Sequence, residues 1–399
     1  MNVLRNLLDK QKPLFEKGGK LEKFYYAFEA GDTFLFTPNT TAGKHGTHIH
    51  DAIDLKRMMI TVVIAMVPAL LFGIYNVGHT HFLAVGELAE ATFMDKILIG
   101  GIAVLPIVIV SYAAGGLVEV VFAIIRRHPI NEGFLVSGML IAIIMPPTLP
   151  LWQVALSAIF AVVIAKEVFG GTGMNVLNVA MTARAFLYFA YPGDMSGDVW
   201  YYLGDKQYAD GFSGATPLAV AAEAVALDGA QPVAATLAGF QDGLFTFWNM
   251  TLGLIPGSIG STSFIAVMIG AVILVATGVG SWKIIVSGFA GVYILGLILN
   301  LAGANEYMSM PAHYHFVMGG VAFGIVFMAT DPVSAAHTEW GKWVYGLLIG
   351  IITVIIRVMN PAYPEGIMLA VLFMNVFAPL IDHYVVQANK KRRLQRATV

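Results

Sequence analysis

Apolar runs of roughly bilayer length alternate with short polar breaks through most of this chain. The pattern predicts ten membrane segments: Met58 to Val77, Ile97 to Ile125, Gly133 to Met145, Leu151 to Ala165, Ala180 to Tyr191, Ser261 to Gly278, Ile284 to Leu301, Tyr314 to Thr330, Trp343 to Ile356 and Gly366 to Ile381. Residues 133 to 165 carry no Asp, Glu, Lys or Arg, but Pro146, Pro147 and Pro150 break them. The third segment is therefore shorter than a bilayer. That predicts a tilted or partly unwound helix, the kind that transporters place at their sites. The eighth segment is its counterpart, with Gly319-Gly320 and Pro332.

Five segments precede a long polar insertion and five follow it. Five is odd, so two such halves point opposite ways. The expected fold is an all-α polytopic membrane protein with about ten transmembrane helices in two inverted five-helix halves. Its expected parts are an N-terminal extension (1–55), a first membrane half (56–192), a loop (193–242), a second half (243–385) and a basic tail (386–399).

Charge orients these parts. Lys56 and Arg57, Arg126 and Arg127, Lys166, Lys283 and Lys342 stand at ends that the positive-inside rule assigns to the cytoplasm. The tail from Lys390 to Arg396 is strongly basic, so both termini are expected inside. The loop holds seven acids (Asp194, Asp198, Asp205, Asp210, Glu223, Asp228 and Asp242) against one base, Lys206, and is expected in the periplasm. Arg357 is the exception, lying outside on this count.

Composition agrees. The 399 residues are 57% hydrophobic and only 12% charged, against about a quarter in soluble domains, and mean hydropathy is +0.74. The polar start, Met1 to Lys23, has no apolar core, so no cleavable signal peptide is expected. The chain has no cysteine, which excludes iron–sulfur ligation and thiol chemistry. An electron carrier here would be organic or haem. No ATP-type phosphate motif occurs, and nothing points to nucleic acid.

Several constellations are candidates for chemistry. Asp210 to Ala219 offers small residues, two hydroxyls and a proline. A tight turn on Gly214 and Ala215 would present Thr216 just before Pro217 opens a helix. Glu119 lies inside the second segment, after Gly115-Gly116. Intramembrane carboxylates cost about 2.5–3.5 kcal/mol on insertion scales and so are functional candidates, although a place near the headgroups also accounts for Glu119. The glycines admit either a flat ring or a packed helix. Asn175 and Asn178, three apart, fall on one helical face after Gly171 and Gly173, with Arg184 two turns on. They suit the polar edge of a ring or an anion at a helix start, or a cap with an interhelical hydrogen bond. Asp331 and Asp382, at segment ends, suit either a dehydrating cation or interfacial solvation. His45, His48 and His50 cluster with Asp51, as a metal site or a solvated loop.

Taken together, Gly18-Gly19-Lys20-Leu21-Glu22-Lys23, Asp54-Leu55-Lys56-Arg57, Asn131-Glu132-Gly133-Phe134, Pro146-Pro147-Thr148-Leu149-Pro150-Leu151-Trp152, Lys166 to Gly173, Arg184-Ala185-Phe186 and Ser213-Gly214-Ala215-Thr216 are similar to one family. It comprises the B subunits of bacterial sodium-translocating NADH:quinone oxidoreductases and their kin, the D subunits of the Rnf complexes. The resemblance runs from residue 18 to the tail.

It implies an inner-membrane, multi-pass subunit of a respiratory sodium pump, partnered by the A, C, D, E and F subunits, by ubiquinone and by membrane lipid. It implies an FMN joined by a phosphoester to Thr216, making the chain a phosphoprotein, with Ser213, Gly214 and Ala215 as the rest of that motif. It further implies a riboflavin at Asn175 and Asn178, with Arg184 near one flavin or the other. Quinone reduction falls to Gly115, Gly116 and Glu119, and sodium to Glu119 and Asp382. Electrons are then expected to enter on the outer side and to leave to quinone near the cytoplasm.

One stretch departs from the family pattern. Asn178-Val179-Ala180-Met181-Thr182-Ala183-Arg184-Ala185-Phe186 stands where the family has Asn-Pro-Ala-Leu-Ala-Gly-Arg-Ala-Phe. The N-terminal extension favours the NADH:quinone branch over the alternative, a subunit of an ion-translocating ferredoxin:NAD oxidoreductase. A non-redox secondary transporter and a purely structural anchor are the readings from other classes.

Overall fold

The computed structural model describes residues 2–36, 55–130, 132–197, 199–226, 232–360 and 365–397. The histidine cluster and the Asp54 and Asn131 ends of two family motifs lie outside the described residues. Among the described residues the chain is helical, with no strand. Five helices are long and apolar enough to cross a bilayer: Leu55–Val85, Phe93–Arg126, Trp282–Ala302, Glu339–Met359 and Ile367–Arg396. These are the first, second, seventh, ninth and tenth segments. Shorter apolar helices, Gly133–Ile143, Val179–Ala190 and Phe264–Ala276, are the third, fifth and sixth. The chain is a polytopic membrane protein.

Local chemistry explains the ends. Thr92 and Asp95 form a reciprocal capping box at the start of the second segment. That helix stops at Arg127, which turns left-handed with φ 55°. Small residues set the tightest crossings. A side chain at Gly78 or Gly100 would strike the backbone of the facing helix between the first and second segments, as one at Gly291 or Gly350 would between the seventh and ninth.

Some packing recurs in the two stretches on either side of the polar loop. The second segment packs against the third and fourth, as the seventh packs against the eighth and ninth. Across the molecule the first segment packs on the sixth and the fifth on the tenth.

Both short segments are broken, as their prolines and glycines predict. Gly133–Ile143 has 11 residues, about 16 Å of helix against a core of roughly 30 Å. Its last carbonyls need partners, since lipid supplies none. A buried, irregular stretch before the sixth segment provides two. Gly260 N–H donates to Ile143 O at 2.7 Å and Ile259 N–H to Met145 O at 3.2 Å. The Arg184 guanidinium donates to Ile144 O at 2.5 Å. The eighth segment is Tyr314–Val317, a break, then Val321–Phe323 running into a π-helical turn, Gly324–Met328. Here Arg357 donates to His315 O at 2.9 Å and Met318 O at 2.6 Å. Arg357 is 1% exposed, so the outlier of the charge count is no loop residue. It is a buried clamp on a broken helix.

Two other charge marks read differently in three dimensions. Lys166, read from sequence as the cytoplasmic end of the fourth segment, is buried within the π-helical turn Ala161–Glu167. The basic tail is not a separate piece: the tenth helix runs unbroken to Ala397.

Candidate functional site

Two cavities open at opposite ends of the segments. The first, of about 310 Å³, borders the end of the fifth segment and the polar loop. Thr216 and Arg184 line it, with Trp200, Ser258, Ser261 and Glu365. Its walls therefore come from the loop and from both halves, beyond the 193–242 boundary read from sequence.

Thr216 is placed by helix geometry. Pro217–Ala226 is a helix, and the Thr216 hydroxyl accepts from Ala219 N–H at 3.2 Å, the bond of an N-cap. Proline suits the next position because it lacks an N–H that the first turn could not use. The expected turn on Gly214 and Ala215 is absent. Residues 212–216 run without helix or turn, and the left-handed turn residue is Gly211, φ 79°. Gly214 is buried. The Ser213 hydroxyl accepts from Ala215 N–H at 3.4 Å, and its carbonyl accepts from Gln241 at 3.4 Å. Ser213 is exposed and does not border the cavity, whereas Thr216 does.

Arg184 faces the same cavity. Its guanidinium lies 5.8 Å over the Trp200 ring and pairs with Glu365 at 2.5 Å. The cavity's other polar wall is the stretch 255–262, where the Ser258 and Ser261 hydroxyls bond each other. Asn76 from the first segment ties this stretch down through Ile255 O at 2.9 Å. Sequence reasoning missed Trp200, Glu365 and the serine stretch. The one available signal was the charge-free but Gly- and Ser-rich run Gly253 to Ser263, too polar for lipid and without loop charges.

The second cavity, of about 100 Å³, lies at the other ends. Asn175, Asn178, Lys166 and Thr172 line it, with Asp331. The asparagines meet here without sharing a helical face. Asn178 is the N-cap of the fifth segment, accepting from Met181 N–H at 3.1 Å. Asn175 precedes the helix and donates to Leu177 O at 3.0 Å. Arg184 is not with them. Thr172 Oγ1 is buried without a hydrogen-bond partner.

Behind Lys166 lies a charged core. Lys166 and Glu119 form a buried ion pair, 3% and 6% exposed. Glu167 pairs with Arg126 at 3.0 Å, and Arg126 also donates to the Glu167 carbonyl at 2.7 Å. Glu119 is therefore an interior charge with a partner. Gly115 and Gly116 face the ring of Phe134, and a side chain at Gly115 would enter that ring. In this chain the flat ring they accommodate is phenylalanine.

Asp331 and Asp382 act as local acceptors. Asp331 takes Val333 N–H at 3.1 Å and Ser334 Oγ at 2.7 Å. Asp382 takes His337 N–H at 2.7 Å, Thr338 N–H at 3.0 Å and Thr338 Oγ1 at 2.5 Å. It thereby fastens the tenth helix to the start of the ninth. Among the described residues no three His, Asp or Glu side chains are grouped to hold a metal.

Comparison with known proteins adds to this geometry. Residues 43–391 match the NQR2, RnfD, RnfE family. The chain is 48% identical to the B subunit of the Na(+)-translocating NADH-quinone reductase of Ectopseudomonas mendocina, over 98% of this chain and 99% of that one. It is 47% identical to the corresponding protein of Chromohalobacter salexigens, over 98% and 96%. It is 46% identical to that of Klebsiella pneumoniae, over 98% and 99%.

Proposed function

Since the chain belongs to the NQR2, RnfD, RnfE family, we propose that it is the B subunit of a sodium-pumping NADH:quinone oxidoreductase, with an FMN esterified to Thr216. Near-full-length identity to relatives of that kind, N-terminal region included, favours this branch over Rnf. It acts in a bacterial inner membrane beside the A, C, D, E and F subunits, with both termini cytoplasmic and the 193–242 loop periplasmic.

The observation that carries the cofactor reading is that Thr216 lines a cavity of about 310 Å³. The residues there fit the group. A phosphate on Oγ1 would sit at the N-terminus of a ten-residue helix, where backbone N–H groups and the helix dipole favour an anion. The cavity mixes apolar walls with a few convergent polar groups, the usual make-up of a cofactor site. A flavin supplies the one- and two-electron chemistry that a chain without cysteine lacks. The chain's own task is to bind, orient and exclude water. Trp200 and the buried serine stretch would wall the ring, and the Arg184–Glu365 pair would close the floor.

A riboflavin belongs to the second cavity. Its unpartnered Thr172 hydroxyl and the side chains of Asn175 and Asn178 offer hydrogen bonds to a ring edge. Ubiquinone is assigned to the neighbourhood of Gly115, Gly116 and Glu119. The sodium path takes in Glu119 and Asp382, whose carboxylates suit a hard cation.

Mass spectrometry of the proteolytic peptide holding Thr216 tests the central claim. The added mass of FMN is expected there, and Thr216→Ala should remove it together with quinone reductase activity. An unmodified peptide from the active complex, or full activity in Thr216→Ala, would overturn the reading.

A further inference from the structure

Glu365 stands where two arginine clamps converge. Its Oε2 accepts from Arg184 at 2.5 Å, and its backbone carbonyl accepts from Arg357 Nε at 3.1 Å. Gly320 leaves room for its other oxygen: an added Cβ would come 3.1 Å from Oε1. Arg184 holds the broken third segment at Ile144, and Arg357 holds the broken eighth at His315 and Met318. The Arg184 side chain is 7% exposed and the Glu365 side chain 18%. Both border the cavity that Thr216 borders.

This geometry has an electrostatic consequence. A charge as buried as that of Arg184, 7% exposed, is screened less than one in open solvent and so acts on whatever lies inside the cavity it borders. Arg184 alone would present a full cation. With Glu365 against it, the wall presents a pair with no net charge. Reduction places negative charge on a flavin ring, so a net cation at the wall favours the reduced form and a net anion disfavours it.

Resting on the flavin assignment above, we propose that Glu365 sets how much of the Arg184 charge this cavity feels, and thereby sets the reduction potential of the flavin held at Thr216. Glu365 touches Arg184 and acts on the flavin through it, so it is a positioning residue.

The test is spectroelectrochemical titration of the flavin in the purified, assembled complex. The fluorescent band on a denaturing gel, lost in Thr216→Ala, first identifies that flavin. Glu365→Gln should raise its midpoint potential and Arg184→Gln should lower it. The double variant should fall between the two, near the unmodified protein, and Glu365→Asp should largely restore the original value. If Arg184→Gln does not assemble, Arg184→Lys combined with Glu365→Gln still leaves an excess cation and should raise the potential. Mere loosening with entry of water would shift both single variants in the same sense, and that result overturns the proposal. So does an unmoved potential in Glu365→Gln. Absence of the band from the unmodified protein overturns the flavin assignment itself, and this proposal with it.

Discussion

The Arg357 guanidinium donates to the carbonyl of Met318 at 2.6 Å, joining the end of the ninth segment to the break in the eighth. It also takes the carbonyls of His315 and Glu365. Each buried carbonyl left unpaired costs about 1–3 kcal/mol. Arg357→Met should therefore destabilise the protein by several times that of a typical surface change, seen as a lower melting temperature in nanodiscs. Arg357→Lys, with one donor centre in place of a fork, should recover only part of the loss. A melting temperature unchanged in Arg357→Met would remove the clamp from the account.

The Glu119–Lys166 pair makes a second prediction. Removing one partner strands a buried charge, at a cost of about 3–5 kcal/mol, whereas replacing both by apolar residues is often mild. Lys166→Met should thus be poorly stable, and Glu119→Leu with Lys166→Met should be more stable than Lys166→Met alone. A double-mutant cycle on thermal stability measures the coupling. Additive effects would mean the pair does not form.

Gly115 concerns packing. Gly115→Ala drives a methyl into the Phe134 ring, and overpacking costs about 1–3 kcal/mol. Phe134→Leu in the same chain should relieve part of it. If instead the alanine leaves stability intact and lowers only quinone reduction, the glycine serves a substrate ring and not Phe134.

For Asp382 two roles can be separated. Asp382→Ala removes the acceptor of three hydrogen bonds at the start of the ninth segment, worth about 1 kcal/mol or more as a lost cap. Asp382→Asn keeps one acceptor oxygen and should recover part of the stability. If the carboxylate also serves sodium, both variants should weaken sodium stimulation more than maximal turnover. Unchanged sodium dependence in Asp382→Asn would confine the residue to capping.

The membrane segments were legible because hydrocarbon demands long apolar runs, and Pro146, Pro147 and Gly319-Gly320 betrayed the two breaks. What sealed the breaks was not legible. The carbonyls of Ile143, Ile144 and Met145 find partners roughly 40 to 117 residues away in the sequence, and local pattern carries no trace of such contacts. Charge counting read Lys166 as a cytoplasmic end and Arg357 as an outside exception, and it says nothing of burial. Both are buried, beside partners distant in sequence: Glu119 for Lys166, and the His315, Met318 and Glu365 carbonyls for Arg357. Asn175 and Asn178 line one cavity, but not through the shared helical face that their spacing suggested. Thr216 was visible as a hydroxyl before a proline, but the serines and Glu365 opposite it belong to the other half of the chain.

The sealing of the third segment bears on biogenesis. Two of its three terminal carbonyls wait for Ile259 and Gly260, which leave the ribosome only after the whole acidic loop has been made. The halves are therefore no pair of independent modules that later dock. The end of the third segment is completed by residues made later in the chain, and the cavity beside Thr216 likewise takes walls from both sides of the loop.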